Sequence, residues 1–192
     1  MLGDRSEFER ANADRGVRLV RRWFVVIAIA FAAACTPHPA RCDMTITRDV
    51  SFTAPDARDT ITAQVIGPAC NKTIGLYTIH NAEGFPIWSW TAPMHHRFGN
   101  LFDQADAPHM REFLERWAQP TTLSTTDTAP PFARLARGQS TLDRLTYEDI
   151  RARHLPMLCH LSGTAHETCV FWEPAAGGAG HFLDRDVEGS RT

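Results

Sequence analysis

Two histidines near the C-terminus, His160 and His166, have the spacing in this chain that points most directly at chemistry. They lie in residues 157–174, where Cys159 and Cys169 can close a hairpin. Joining those cysteines predicts a register in which His160 opposes Thr168 and Ser162 opposes His166, with Gly163-Thr164-Ala165 as the turn. Both imidazoles then share the face opposite the disulfide as diagonal neighbours. Diagonal cross-strand positions are about 7–8 Å apart, close enough for two imidazoles to converge on one copper or zinc ion. His181 or Asp184 would supply a third donor. The plainer reading is two solvent-exposed histidines on a small hairpin.

Trp88 and Trp90 share one face of a predicted strand, because strand side chains repeat every two residues. An open face would make them an aromatic platform suited to the apolar faces of sugar rings. A closed one would pack them on a helix through Trp117. His95 and His96 are adjacent, and in extended chain neighbouring side chains point apart, so they meet only if a turn brings them together. His109 and Glu112, three residues apart near a helix start, have the spacing of a surface ion pair. A nucleophilic hydrolase needs a serine or thiol, a histidine base and an orienting group. The chain holds no Gly-x-Ser-x-Gly elbow and no His-Glu-x-x-His pair. His166, Glu167 and Glu173 are acid–base groups that an envelope hydrolase could still use. The glycines at 177, 178 and 180 lack the lysine and spacing of a phosphate-binding loop.

The elements that must carry these residues are partly legible. Residues 74–80 and 86–90 read as a strand pair, rich in β-branched and aromatic side chains, with Asn81-Ala82-Glu83-Gly84 as the turn. Weaker alternation marks strands near 44–50 and 60–66, with a short one at 181–183. Residues 106–118 are a predicted helix. Asp106 is its N-cap, Met110, Phe113, Leu114 and Trp117 form one apolar stripe, and Pro120 bars continuation. A second helix is expected over 146–153, capped by Thr146 and Asp149 and ended by Pro156. Residues 121–131, dominated by threonine and ending in Pro-Pro, read as an exposed loop. The expected fold is α+β: a small antiparallel sheet with one main amphipathic helix packed on it, stapled by disulfides.

Arg18, Arg21 and Arg22 precede an apolar run over 23–34 that is far short of the roughly 20 residues needed to cross a bilayer. It has the length of a signal h-region and ends in small residues. Its end, Phe31-Ala32-Ala33-Ala34-Cys35, resembles the lipobox of bacterial lipoproteins, with Ala32 where leucine is usual. The resemblance covers the signal and Cys35 only, about a fifth of the chain. It implies cleavage before Cys35, a diacylglycerol thioether on that cysteine, and a membrane partner through the lipid. Thr36, rather than aspartate, implies the periplasmic side of the outer membrane. A soluble periplasmic protein cleaved near Ala34 is the alternative. Val20 to Val25, with its paired arginines, partly resembles a twin-arginine signal, so both the general and the twin-arginine export routes stay open. The polar residues 1–16 make Val17 a candidate start. The expected organisation is an extension and signal over 1–34, a tether over 35–43, one domain over 44–186 and a frayed tail over 187–192.

The whole chain carries 20 basic and 22 acidic residues. Residues 1–34 take six arginines and four acids with them, leaving 14 and 18, a balance near −4. There is no basic stripe, which argues against nucleic acid and against electrostatic membrane binding. Beyond Cys35, four cysteines in an oxidising compartment predict two disulfides, with Cys159–Cys169 and Cys42–Cys70 the favoured pairing of three. The leading functional expectation is a non-enzymatic envelope protein that binds an unknown protein or glycan. A metal-binding accessory protein and an envelope hydrolase are the alternatives.

Overall fold

Strict burial alternation along two strands builds the centre of the first sheet. In β2 (Asp59–Ile66) the side chains of Ile61, Ala63 and Val65 are buried, and in β3 (Ile74–His80) Tyr77 and Ile79 are. A computed structural model describes residues 41–187; Cys35 and the signal lie outside them. The strands β1 (Met44–Val50) and β4 (Pro86–Pro93) flank the central pair in the antiparallel order β1-β2-β3-β4. Ala63 opposes Tyr77, and Tyr77 opposes Trp90; Ile61 opposes Ile79, and Ile79 opposes Trp88. These residues therefore form one inward face. The other face carries Thr47, Thr62, Thr78 and Ser89 in one row across all four strands.

A short helix, α1 (Met94–Phe98), and a 3-10 turn (Gly99–Phe102) lead to α2 (Ala107–Trp117). Asp106 caps α2 by accepting the His109 amide, and Met110, Phe113, Leu114 and Trp117 are buried, as the apolar stripe requires. Phe98, Phe102 and Phe113 meet edge-on, with centroids 4.9–5.7 Å apart, and fill the space between the helix and the sheet.

The expectation of a single small sheet completed by the C-terminal hairpin does not hold: that hairpin belongs to a second sheet. It has four strands, β5 (Thr121–Ser124), β6 (Pro156–Gly163), β7 (His166–Glu173) and β8 (Gly178–Asp186), in that antiparallel order. The threonines of 121–124 read as loop, yet they are β-branched and sit at a sheet edge, which suits them to a strand. The glycines of β8 hide its strand character; Gly180 is needed because a Cβ there would come within 2.8 Å of the Phe171 ring. One-turn α3 (Thr125–Thr128) follows β5. The second helix, α4 (Arg144–Ala152), begins earlier than expected. Asp143 caps it, accepting from the Leu145 and Thr146 amides and from the Thr146 hydroxyl, so Thr146 is no cap.

Sheet two is packed on both faces. Leu158 and Val170 join the core of the first sheet, while Cys159, Cys169, Met157, Phe171, Phe182 and Leu183 pack with Tyr147 and Ile150 of α4. The disulfides Cys42–Cys70 and Cys159–Cys169 are both formed. Cys159 faces Cys169 and His160 faces Thr168, as expected. The hairpin tip differs: a bulge between Leu161 and Gly163 sets Gly163, not Ser162, opposite His166.

At the Cys42–Cys70 end, Gly67 lies so close to the next loop that a Cβ would strike the Lys72 carbonyl and come within 2.9 Å of Thr73 Cα. Neither backbone atom can yield, so Gly67→Ala is expected to cost about 2 kcal/mol or more in urea unfolding. Loop closure also ranks the disulfides. Cys42–Cys70 spans 28 residues and Cys159–Cys169 spans 10. Paired serine substitutions at the first should cost about 3.5 kcal/mol, against about 2.5 at the second. Equal losses in matched unfolding curves would contradict the chain-entropy origin of the difference.

Candidate functional site

The alternation that builds the first sheet brings Tyr77, Trp88 and Trp90 onto its inward face, and the hairpin β6–β7 lays His160 against them. His160 is only 2% exposed. Its ring stacks on Tyr77, with centroids 4.2 Å apart and planes 16° from parallel, and meets Trp90 edge-on at 5.9 Å. Trp117 of α2 closes the group, 5.2 Å from Tyr77 and 5.6 Å from Trp90.

Hydrogen bonding fixes the imidazole's state. Trp88 Nε1 lies 3.3 Å from His160 Nε2, and an indole N–H can only donate. Nε2 is therefore the acceptor and Nδ1 carries the proton. That proton points at the Leu161 carbonyl, 3.0 Å away, which also accepts the Trp117 indole N–H at 2.8 Å. Burial pushes the imidazole down to about 4, against smaller upward pulls from the Leu161 carbonyl and the Asp184 charge. His160 is a neutral, doubly bonded side chain at neutral pH.

Behind it, Thr168 opposes both His160 and Asp184 in the sheet registers. The Thr168 hydroxyl donates to Asp184 at 2.7 Å, and His181 Nε2 lies 3.4 Å from the same carboxylate. Burial raises Asp184, but hydrogen bonds from His181 and Thr168 and the charges of His181 and Arg97 outweigh it and hold the carboxyl below its usual range. Burial alone raises the Tyr77 phenol far above its ordinary value. Its hydroxyl is the buried side-chain polar atom without a partner among the described residues.

The two histidines expected to share an ion have different surroundings. His160 is enclosed with both nitrogens engaged, while His166 is largely exposed and bonded to Asp186 at 2.9 Å. His181 and Asp184, named as third donors, pair with each other. No cluster of three or more His, Cys, Asp and Glu arranged to hold a metal occurs among the described residues. Trp88 and Trp90 are half-buried, turned to the core and to Trp117. The turn that would unite His95 and His96 is α1, which sets their exposed rings 4.1 Å apart. Glu112 pairs with Arg116, not with His109, whose ring tilts over Phe102. The sequence reading missed Tyr77 and Trp117 as partners of His160. Their strand and helix periodicities were visible, but nothing in the spacing said that the C-terminal hairpin would land there.

No protein-family model, curated protein or solved structure matches this chain.

The enclosed imidazole gives stability a pH dependence of definite sign. Between about pH 4 and 6.5 the unfolded chain takes up a proton here and the folded chain does not, so stability rises with pH across that window. The contribution is complete above the ordinary histidine value and lost as pH falls to about 4, roughly 3 kcal/mol in all. His160→Gln keeps an acceptor for Trp88 but cannot titrate. Urea unfolding at a series of pH values should show its slope flattened relative to wild type; equal slopes would assign the loss to other groups.

Proposed function

We propose that this protein is a lipid-anchored component of the bacterial envelope, held through Cys35, whose folded part binds a partner and does not turn over a substrate. The observation that carries this reading is the state of His160. This buried imidazole is neutral, bonded at both nitrogens and walled in by aromatic rings. It is built as an architectural group.

The other candidate acid–base groups support the same reading. Asp59, the buried carboxylate, accepts the Phe52 and Thr53 amides and the Thr53 hydroxyl, which makes it a loop staple. Glu173 is held by Arg153 at 2.6 Å, and that hydrogen bond keeps its carboxyl below the usual range. Glu167 is held by Arg185 at 2.8 Å. The two disulfides suit an oxidising compartment. Among the described residues no helix is long and apolar enough to cross a membrane, so attachment in this reading rests on the lipid at Cys35.

Two measurements test it. Wild-type chain should pellet with host membranes, and Cys35→Ala should leave the pellet or accumulate with its signal uncut. Purified protein should leave peptidoglycan and model ester and peptide substrates unhydrolysed. Turnover that disappears on His160→Gln or Glu173→Gln would overturn the non-enzymatic part of the reading, and membrane retention without Cys35 would overturn the anchor.

A further inference from the structure

Five large hydrophobic side chains are well exposed among the described residues, and three of them lie at one end of the molecule: Ile66, Ile74 and Leu101, at 38, 51 and 40%. Ile66 and Ile74 are direct cross-strand partners on the open face of the first sheet, and Ile74 is in turn opposite Pro93. The loop between them carries Cys70, bonded to Cys42. Asn71 in that loop donates to the Asp103 carbonyl at 3.3 Å, which fastens it to the end of the 3-10 turn bearing Leu101. The Met94 amide donates to the Thr73 carbonyl, fixing the start of α1 beside the same loop.

The sequence has no basic run, yet folding sets its one lysine and two adjacent imidazoles at this end. Lys72, the only lysine in the chain, is exposed one residue before the Thr73 carbonyl, and the exposed His95 and His96 directly follow Met94. Of the acids here, Asp43 is already paired with Arg41 at 2.9 Å, which leaves Asp103. This is also the end at which the described chain begins. Arg41 is six residues after Cys35, and six residues reach at most about 20 Å.

We propose that the Ile66–Ile74–Leu101 end, with Lys72, His95 and His96, is a membrane-contacting surface that lies on an anionic phospholipid bilayer. The proposal rests on the anchor reading above and deepens it. Exposed isoleucine and leucine side chains enter the headgroup boundary, and an ammonium and two imidazoles meet lipid phosphates. Lipid attachment alone holds a domain near the bilayer without orienting it. A second, weak contact orients it and leaves the opposite end free for a partner.

Lys72 makes the test specific. Full-length lipidated protein is added to preformed vesicles of phosphatidylethanolamine and phosphatidylglycerol, floated, and treated with a membrane-impermeant amine-acylating ester. Conversion of Lys72 is read by peptide mass spectrometry. Wild type should react about tenfold more slowly than the double variant Ile66→Ser, Ile74→Ser. The gap should narrow in vesicles of phosphatidylcholine alone. Both substituted positions are exposed, and circular dichroism checks that the variant is folded. If both proteins float and Lys72 reacts equally in them, the bilayer contact is wrong while the anchor stands. If wild type does not float, the anchor reading fails and takes this surface with it.

Discussion

The structure depends on one chain of hydrogen bonds: Trp88 donates to His160, and His160 and Trp117 both donate to the Leu161 carbonyl. It joins β4 of the first sheet, β6 of the second and helix α2. Apart from it and the Thr164 amide on the Arg97 carbonyl, the described residues of the two sheets meet mainly through apolar contacts, which hold surfaces together but do not fix one orientation. Each bond contributes only about 1 kcal/mol net, whereas an orphaned buried donor costs about 1–3 kcal/mol. The network therefore specifies the arrangement more than it stabilises it. Any slip of the hairpin along the sheet would strand two indole N–H groups and an imidazole away from water.

The aromatic rings around that chain supply the affinity. Tyr77 and Trp90 lie against His160, and Trp117 backs them at 5.2 and 5.6 Å. Aromatic pairs contribute about 0.5–1.5 kcal/mol beyond the area they bury. The same enclosure keeps the imidazole neutral, because burial disfavours its charged form and both nitrogens already have partners. Architecture and chemistry are in competition for this residue, and architecture has it. At the surface, the first sheet has an open threonine-rich face and one apolar end.

Local rules found what local rules can find. The stripe Met110, Phe113, Leu114 and Trp117 and the cap Asp106 gave α2 within a residue, and the alternation at 74–80 gave β3 with Tyr77 and Ile79 on one face. Both disulfides followed from hairpin geometry and elimination. What failed was the count of strands. β5 is four residues of a threonine-rich segment that shows no alternation, and β8 is legible only over 181–183, because glycine and charge fill its flanks. Each is a strand because a neighbour pairs with it, which is a tertiary fact. The hairpin tip failed for a related reason: cysteine pairing fixes the register at Cys159 and Cys169, but a bulge further on changes it. His160 was singled out for its spacing with His166, and its importance lies instead in three aromatic residues, Tyr77, Trp88 and Trp90, between 70 and 83 positions upstream.

The measurement that bears most directly on this account is the nitrogen-15 spectrum of the His160 ring, followed from pH 7 downward in long-range proton–nitrogen correlations. The account expects a neutral ring protonated at Nδ1, holding that form until the pH approaches about 4. An Nε2-protonated tautomer, or an imidazolium forming at the ordinary histidine value near 6.5, would contradict it. The first would mean that the ring does not accept from Trp88, the second that water reaches it, and in either case the architectural role assigned to His160 would have to be given up.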